Sequence, residues 1–260
     1  MINISFSSIK AYLRCPRSFK LCYVDKMKIQ KTNAAMQLGC AIDDHLGGSK
    51  VKMDGFSDQT KGIARAIMKA IKDLKIGFSK GRGYDSQVMF KKKVKSETSE
   101  IQLIGFADFF NKQTGELIEL KTTSKPEYYQ SLNNISPQLS MYAMAIKGVR
   151  SARVATITTP KINKTKKFKT DNEYIQHVYK DIMDRPNFYF NDLRTDGTFG
   201  KVISMGMLEP DIAKKNIFYV RDGIDACTKK DYWPKNTQAC SNNGYSDFKC
   251  DYCDYCEGTT

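Results

Sequence analysis

Two acids and an amine fall close together in the segment 101–122, IQLIGFADFFNKQTGELIELKT: Asp108, Glu119 and Lys121. Glu119 and Lys121 are two apart in a run that alternates with period two. In a strand they would share one face, with Ile118 and Leu120 on the other. The intervening NKQTGE at 111–116 is turn chemistry, short polar residues with a Gly free to take positive φ. A hairpin there would carry Asp108 on its outgoing arm to the pair on its return arm. Neighbouring carboxylates can hold Mg2+ or Mn2+, hard cations that take oxygen ligands. Such an ion polarises a phosphate and lowers the pKa of a bound water, and an ammonium beside it stabilises developing charge. The chemistry these residue types would perform is phosphodiester cleavage. A solvent-facing strand with an i,i+2 ion pair would use the same letters, so the trio has to be weighed with the rest of the chain.

The elements that would position this hairpin follow from periodicity and punctuation. Segment 5–23 reads as a helix, a break at Cys15-Pro16 and a second helix. Ser5 or Ser7 can cap the first, and Ile9, Tyr12 and Leu13 give it an apolar face. A helix over 36–46 carries Asp43, Asp44 and His45 and ends at Gly47-Gly48. An amphipathic helix follows over about 59–74, then a strand over 86–94 before the hairpin. After it, Pro126-Glu127 breaks the chain and Pro137 opens a helix whose Gln138 and Tyr142, spaced i,i+4, share a face. A strand over 153–159, a helix over 171–184, a short strand over 188–193 and a helix over 208–226 complete the reading. The order of helices and strands predicts an α/β or α+β fold with a mixed sheet.

Composition narrows the partner class. The chain has 260 residues, 41% of them hydrophobic, enough for a core in one large domain. No apolar run is long enough to span a membrane and the first residues lack a signal-peptide layout, so a soluble, cytoplasmic protein is expected. The formal charge of +14 favours a polyanionic partner. Two lysine-rich runs, at 91–95 (KKKVK) and 161–169 (KINKTKKFK), could neutralise phosphates, although each alone reads as a solvated segment. Together with the overall charge they make nucleic acid the leading partner.

Of eight cysteines, four crowd the last 21 residues: Cys240, Cys250, Cys253 and Cys256. Disulfides are disfavoured in the expected compartment, which leaves metal as the better explanation. Two consecutive C-x2-C steps suit an iron–sulfur cluster better than zinc, which usually takes two separate pairs. Cys15, at the helix break, makes a fifth candidate for four ligand places. Cys22, Cys40 and Cys227 read as small buried hydrophobes.

Assembled, these residues resemble the RecB-type branch of the PD-(D/E)xK nucleases, and within it the iron–sulfur members: CRISPR-associated exonucleases and small phage exonuclease-like proteins. The matching blocks are Ser5-x-x-Ser8 with YLRCPR at 12–17, GCAIDD at 39–44, GFAD at 105–108, ELK at 119–121, QLSMY at 138–142 and the WPKN…C tail. ELK alone is nearly worthless; six ordered blocks spanning the chain are specific. The resemblance implies a restriction-endonuclease-like mixed central sheet flanked by helices, with a cysteine-rich C-terminal cap joined to the N-terminal helix, all in one domain over 1–260. It implies Asp108 and Glu119 as ligands of Mg2+ or Mn2+ and Lys121 as the catalytic lysine. Gln138 would contact backbone phosphate and Tyr142 the DNA strand. A 4Fe–4S cluster on four of Cys15, Cys240, Cys250, Cys253 and Cys256 would staple the N-terminal helix to the 233–260 tail. Relatives usually show G-x3-H in the first-helix block, where this chain has Asp43, with His45 nearby. Positions 43 and 45 point about 200° apart on a helix, so one of them can face the metal, and a carboxylate can replace an imidazole there. Relatives' tails often read C-x5-C, which Cys250 and Cys256 satisfy, with Cys253 as the extra thiol; Cys250, Cys253 and Cys256 together with Cys15 are the alternative set.

The reading that follows is a metal-dependent DNA nuclease, an exonuclease on single strands or duplex ends, with protein partners in recombination or CRISPR adaptation. A structure-selective endonuclease would show the same motifs. A non-catalytic nucleic-acid-binding accessory protein would have no reason to keep Lys121 between carboxylates. A zinc-stapled binding domain is the remaining rival.

Overall fold

The structure, a computed structural model, describes residues 3–27, 33–97, 99–240 and 250–257. In chain order its elements begin with β1 (Asn3–Ile4), α1 (Phe6–Arg14) and α2 (Pro16–Phe19), which runs on into a π-helical turn at Lys20–Val24. Ser5, rather than Ser7, caps α1 through a capping box with Ser8. Then come α3 (Ala34–Leu46), α4 (Asp58–Asp73), β2 (Tyr84–Lys95), β3 (Glu100–Asn111) and β4 (Glu116–Thr123). They are followed by α5 (Pro126–Gln130), α6 (Leu132–Ala145), β5 (Ser151–Thr158), α7 (Asp171–Asp184) and α8 (Pro186–Tyr189). The chain closes with β6 (Lys201–Ser204), α9 (Pro210–Lys230), α10 (Thr237–Cys240) and α11 (Cys253–Glu257). One mixed sheet runs β1-β3-β4-β5-β6, with β2 paired to β3. The β1–β3 and β4–β5 pairs are parallel, while β3–β4 and β5–β6 are antiparallel. This is the mixed sheet flanked by helices that the sequence predicts.

Several boundaries depart from expectation. Pro126 starts α5 instead of breaking the chain, because proline suits a first helical turn. Pro137 lies inside α6, which begins five residues earlier, so the helix does without one backbone hydrogen bond there. The expected strand at 188–193 is the end of α8 and a single bridge from Phe190 to Ile157. The helix expected over 208–226 is α9, which starts at Pro210 and runs to Lys230. The lysines at 91–95 lie on β2, with Lys93 and Lys95 both near Glu100. No helix among the described residues is long and apolar enough to cross a membrane.

The chain packs as two compact units: Met1–Lys31 with Lys91–Gly105 and Pro210–Thr260, and Thr32–Phe90 with Phe106–Glu209. In the first, the Tyr12 ring of α1 lies so close over Gly223 of α9 that any Cβ at 223 would collide with its hydroxyl. In the second, Ile118 and Leu120 of β4 join Leu38 and Ile42 of α3, Ile63 and Ile67 of α4, and Tyr174 and Val178 of α7 in one core. A Cβ at Gly62 would meet the Tyr174 ring at 2.6 Å, so glycine lets α4 approach α7. These helices cover the Ile118 face of β4 and leave its opposite face for Glu119 and Lys121.

Candidate active site

The hairpin forms as its turn chemistry predicts. Gly115 takes φ +73°, and the Asn111 Oδ1 accepts the N–H groups of Gln113 and Thr114 at 3.0 and 3.1 Å. β3 and β4 pair as Asn111↔Glu116, Phe110↔Leu117 and Phe109↔Ile118. At the next residue a side chain takes over from the backbone ladder: Asp108 Oδ2 accepts the Leu120 N–H at 2.7 Å. The ribbon forks there, with the acid seated in the fork.

Glu119 is 2% exposed. Its Oε1 accepts from the Lys121 ammonium and from Gln138 Nε2 of α6, the latter at 2.7 Å. Its Oε2 is buried with no hydrogen-bond partner. Gln138 Nε2 also donates to the Tyr142 hydroxyl at 3.0 Å, so the i,i+4 pair does share a face and that face meets β4. From α3, Asp43 comes within electrostatic reach of Asp108, Lys121 and Glu119. His45, the other candidate on that helix, is turned toward the Met68 backbone of α4, as the helical period requires.

Electrostatics here are dominated by crowding. Burial, then the charges of Asp108 and Glu119, push the Asp43 carboxyl up to about 8, against a partial offset from Lys121. Burial also raises Asp108, opposed by the Leu120 N–H and by Lys121. Glu119 is raised by burial and by Asp108. Lys121 moves the other way from a typical buried amine: the Glu119 and Asp108 carboxylates outweigh its desolvation and hold it protonated. Three acids that resist ionising together, one carrying a partnerless buried oxygen, form a donor set whose repulsion a hard divalent cation would relieve. By chemistry the residues fit such an ion, although no three His, Cys, Asp or Glu side chains among the described residues are already gathered closely enough to hold one.

A feature missed from sequence adjoins the site. The Tyr129 ring of α5 has its centroid 6.0 Å from Lys121 Nζ, and Tyr128 meets Tyr129 edge-on at 5.0 Å. The signal was the doublet Tyr128-Tyr129 directly after Pro126.

The cysteines are all free thiols. Cys240, Cys250 and Cys253 are buried together with Leu21 of the π turn and Tyr252, and Cys256 packs against them. Proximity to Cys240 and Cys250 adds to burial in raising the Cys256 thiol. Cys15 is buried at the α1–α2 junction, where its Sγ accepts the Asn236 N–H at 3.4 Å. Thiolates of this kind are soft ligands, but among the described residues these thiols are not gathered closely enough to hold a metal ion. Of the thiols expected to be inert, Cys227 is buried, whereas Cys22 and Cys40 are exposed, a correction to their reading as packed hydrophobes.

A family model described as the PD-(D/E)XK nuclease superfamily matches residues 3–257. No curated protein matches the chain. Among solved structures, one titled "Crystal structure of SSO0001" aligns with 71% of this chain and 77% of its own, at 14% identity and a TM-score of 0.35. A likeness of that size carries no argument.

Proposed function

The chain belongs to the PD-(D/E)XK nuclease superfamily, and from that premise we propose that it is a divalent-metal-dependent deoxyribonuclease, an exonuclease on single strands or duplex ends. The observation that carries the reading is the Glu119 carboxylate, buried yet shared by Lys121 and Gln138 with one oxygen left over. Asp43, Asp108 and Glu119 would hold Mg2+ or Mn2+, which when bound polarises the scissile phosphate and acidifies a water. Lys121, kept protonated by its acids, offers a fixed positive charge where the phosphorane charge develops. Gln138 orients Glu119 and, with Tyr142, lies on the face where a backbone phosphate would approach.

The RecB-type, iron–sulfur branch is part of this proposal. Residues 1–260 act as one nuclease domain in which a 4Fe–4S cluster, held by four of Cys15, Cys240, Cys250, Cys253 and Cys256, staples the N-terminal helix to the tail. The packing of the four tail thiols supports a cluster, and Cys15 abutting Asn236 supports the staple. Cytoplasmic action on DNA, alongside recombination or CRISPR-adaptation proteins, completes the proposal.

The test is anaerobic purification, with iron and sulfide analysis, followed by cleavage of end-labelled and circular single-stranded DNA in Mg2+ and in Mn2+. Loss of the labelled end with circles intact supports an exonuclease. Cut circles would make it an endonuclease, and binding without cleavage in either metal would overturn the enzyme.

A further inference from the structure

Tyr128 is 53% exposed, on the helix whose next residue, Tyr129, lies beside Lys121. Tyr129 stands between them, its ring 6.0 Å from the Lys121 ammonium and in edge contact with Tyr128. On β3, Phe106 is also 53% exposed, and the period of two puts it on the same strand face as Asp108. Exposed rings are common on this chain, as at Tyr219 and Tyr232, and what sets Tyr128 apart is its edge contact with the ring that neighbours the Lys121 ammonium.

We propose that Tyr128 is a stacking platform for the base of the nucleotide whose phosphate lies at Lys121, with Tyr129 as the positioning residue that sets its distance from that ammonium. The inference rests on the nuclease reading and names its substrate as an unpaired strand. Inside a duplex both faces of each base are already stacked on neighbours, and at its end the one free face belongs to a base still held by its pairing partner. In a single strand every base has a free π face, and stacking on an aromatic side chain tolerates any sequence. A lysine that takes phosphate and a ring one side chain away together match the two ends of a nucleotide. Phe106 supplies a second ring near Asp108 for a neighbouring base.

The test compares Tyr128→Ala with Tyr128→Phe on single-stranded oligonucleotides that carry normal or abasic sites at the cleaved end. Tyr128→Ala raises KM about ten- to a hundredfold on the normal strand, leaves kcat within about threefold, and is indistinguishable from wild type on the abasic strand. Tyr128→Phe behaves as wild type. Equal KM for Tyr128→Ala and wild type on the normal strand, or the same loss on the abasic strand, overturns the platform. Binding of a 2-aminopurine oligonucleotide to Glu119→Gln protein separates this from failure of the nuclease reading. Quenching that depends on Tyr128 upholds the platform even if no variant cleaves; quenching unaffected by Tyr128→Ala sinks it.

Discussion

Glu116 and Glu119 lie three residues apart on β4 and therefore on opposite faces, and their surroundings could hardly differ more. Glu116 is bonded at both oxygens. Arg153, almost fully buried, donates to its Oε1 from Nε at 2.9 Å and from Nη2 at 2.6 Å, and the Tyr84 hydroxyl donates to its Oε2. Arg153 also reaches Thr198 Oγ1 at 3.4 Å. Glu119 has a crowded oxygen and an abandoned one, with two further acids nearby. The first is a carboxylate used to join strands, its charge answered in full. The second shares the single Lys121 ammonium with its neighbouring acids, so part of their charge stays uncompensated, which a fold tolerates where a ligand meets it.

That contrast can be broken in four ways, from the largest expected effect to the smallest. Glu119→Gln lowers DNA cleavage by about a thousandfold with folding intact, read by single-turnover assay and thermal melt. If cutting persists, Glu119 is no part of the chemistry. Glu116→Ala does the reverse: it leaves Arg153 buried without its acid and costs about 3–5 kcal/mol in denaturant unfolding. A neutral result there would mean the network contributes nothing to stability.

Asp43 gives a pH test in chelator-treated protein. Its folded value of about 8 lies above its unfolded value of 3.8. The stability it contributes is present in full below about pH 4 and is lost as pH climbs toward 8, because the unfolded chain ionises first. Asp43→Asn should flatten that slope and raise stability at pH 8 by roughly 1–3 kcal/mol, while added Mg2+ should narrow the gap between the two proteins. An unchanged slope would remove Asp43 from the crowded set. Smallest is Tyr84→Phe, about 1 kcal/mol of unfolding free energy with cleavage untouched, since Glu116 keeps its arginine.

The two regions were also unequally legible. The Glu119 side could be read because its signals are local: a polar turn with Gly115, a period of two through residues 117–121, and a helical period that separates Asp43 from His45. The Glu116 network left no such trace, for Tyr84 and Arg153 are 32 and 37 residues away and meet it only once the sheet closes. β1 and β6 span two and four residues, too short to show alternation. Pro137 reads as a helix start because that is proline's usual site, yet it lies inside α6. On sequence alone the doublet Tyr128-Tyr129 points to no site, because its meaning comes from the Lys121 ammonium that the fold brings beside Tyr129.

The seat of Asp108 in the fork bears on how this protein can change over generations. One of its oxygens does the work of a peptide carbonyl by holding the Leu120 amide. Under the proposed function the residue would answer to two selective pressures, shape and reaction, whereas Glu119 holds no backbone group and bonds only the side chains of Lys121 and Gln138. If the proposed cutting is right, a descendant released from it would shed the glutamate first and keep the aspartate, so the order of loss among silenced copies would record when the chemistry lapsed.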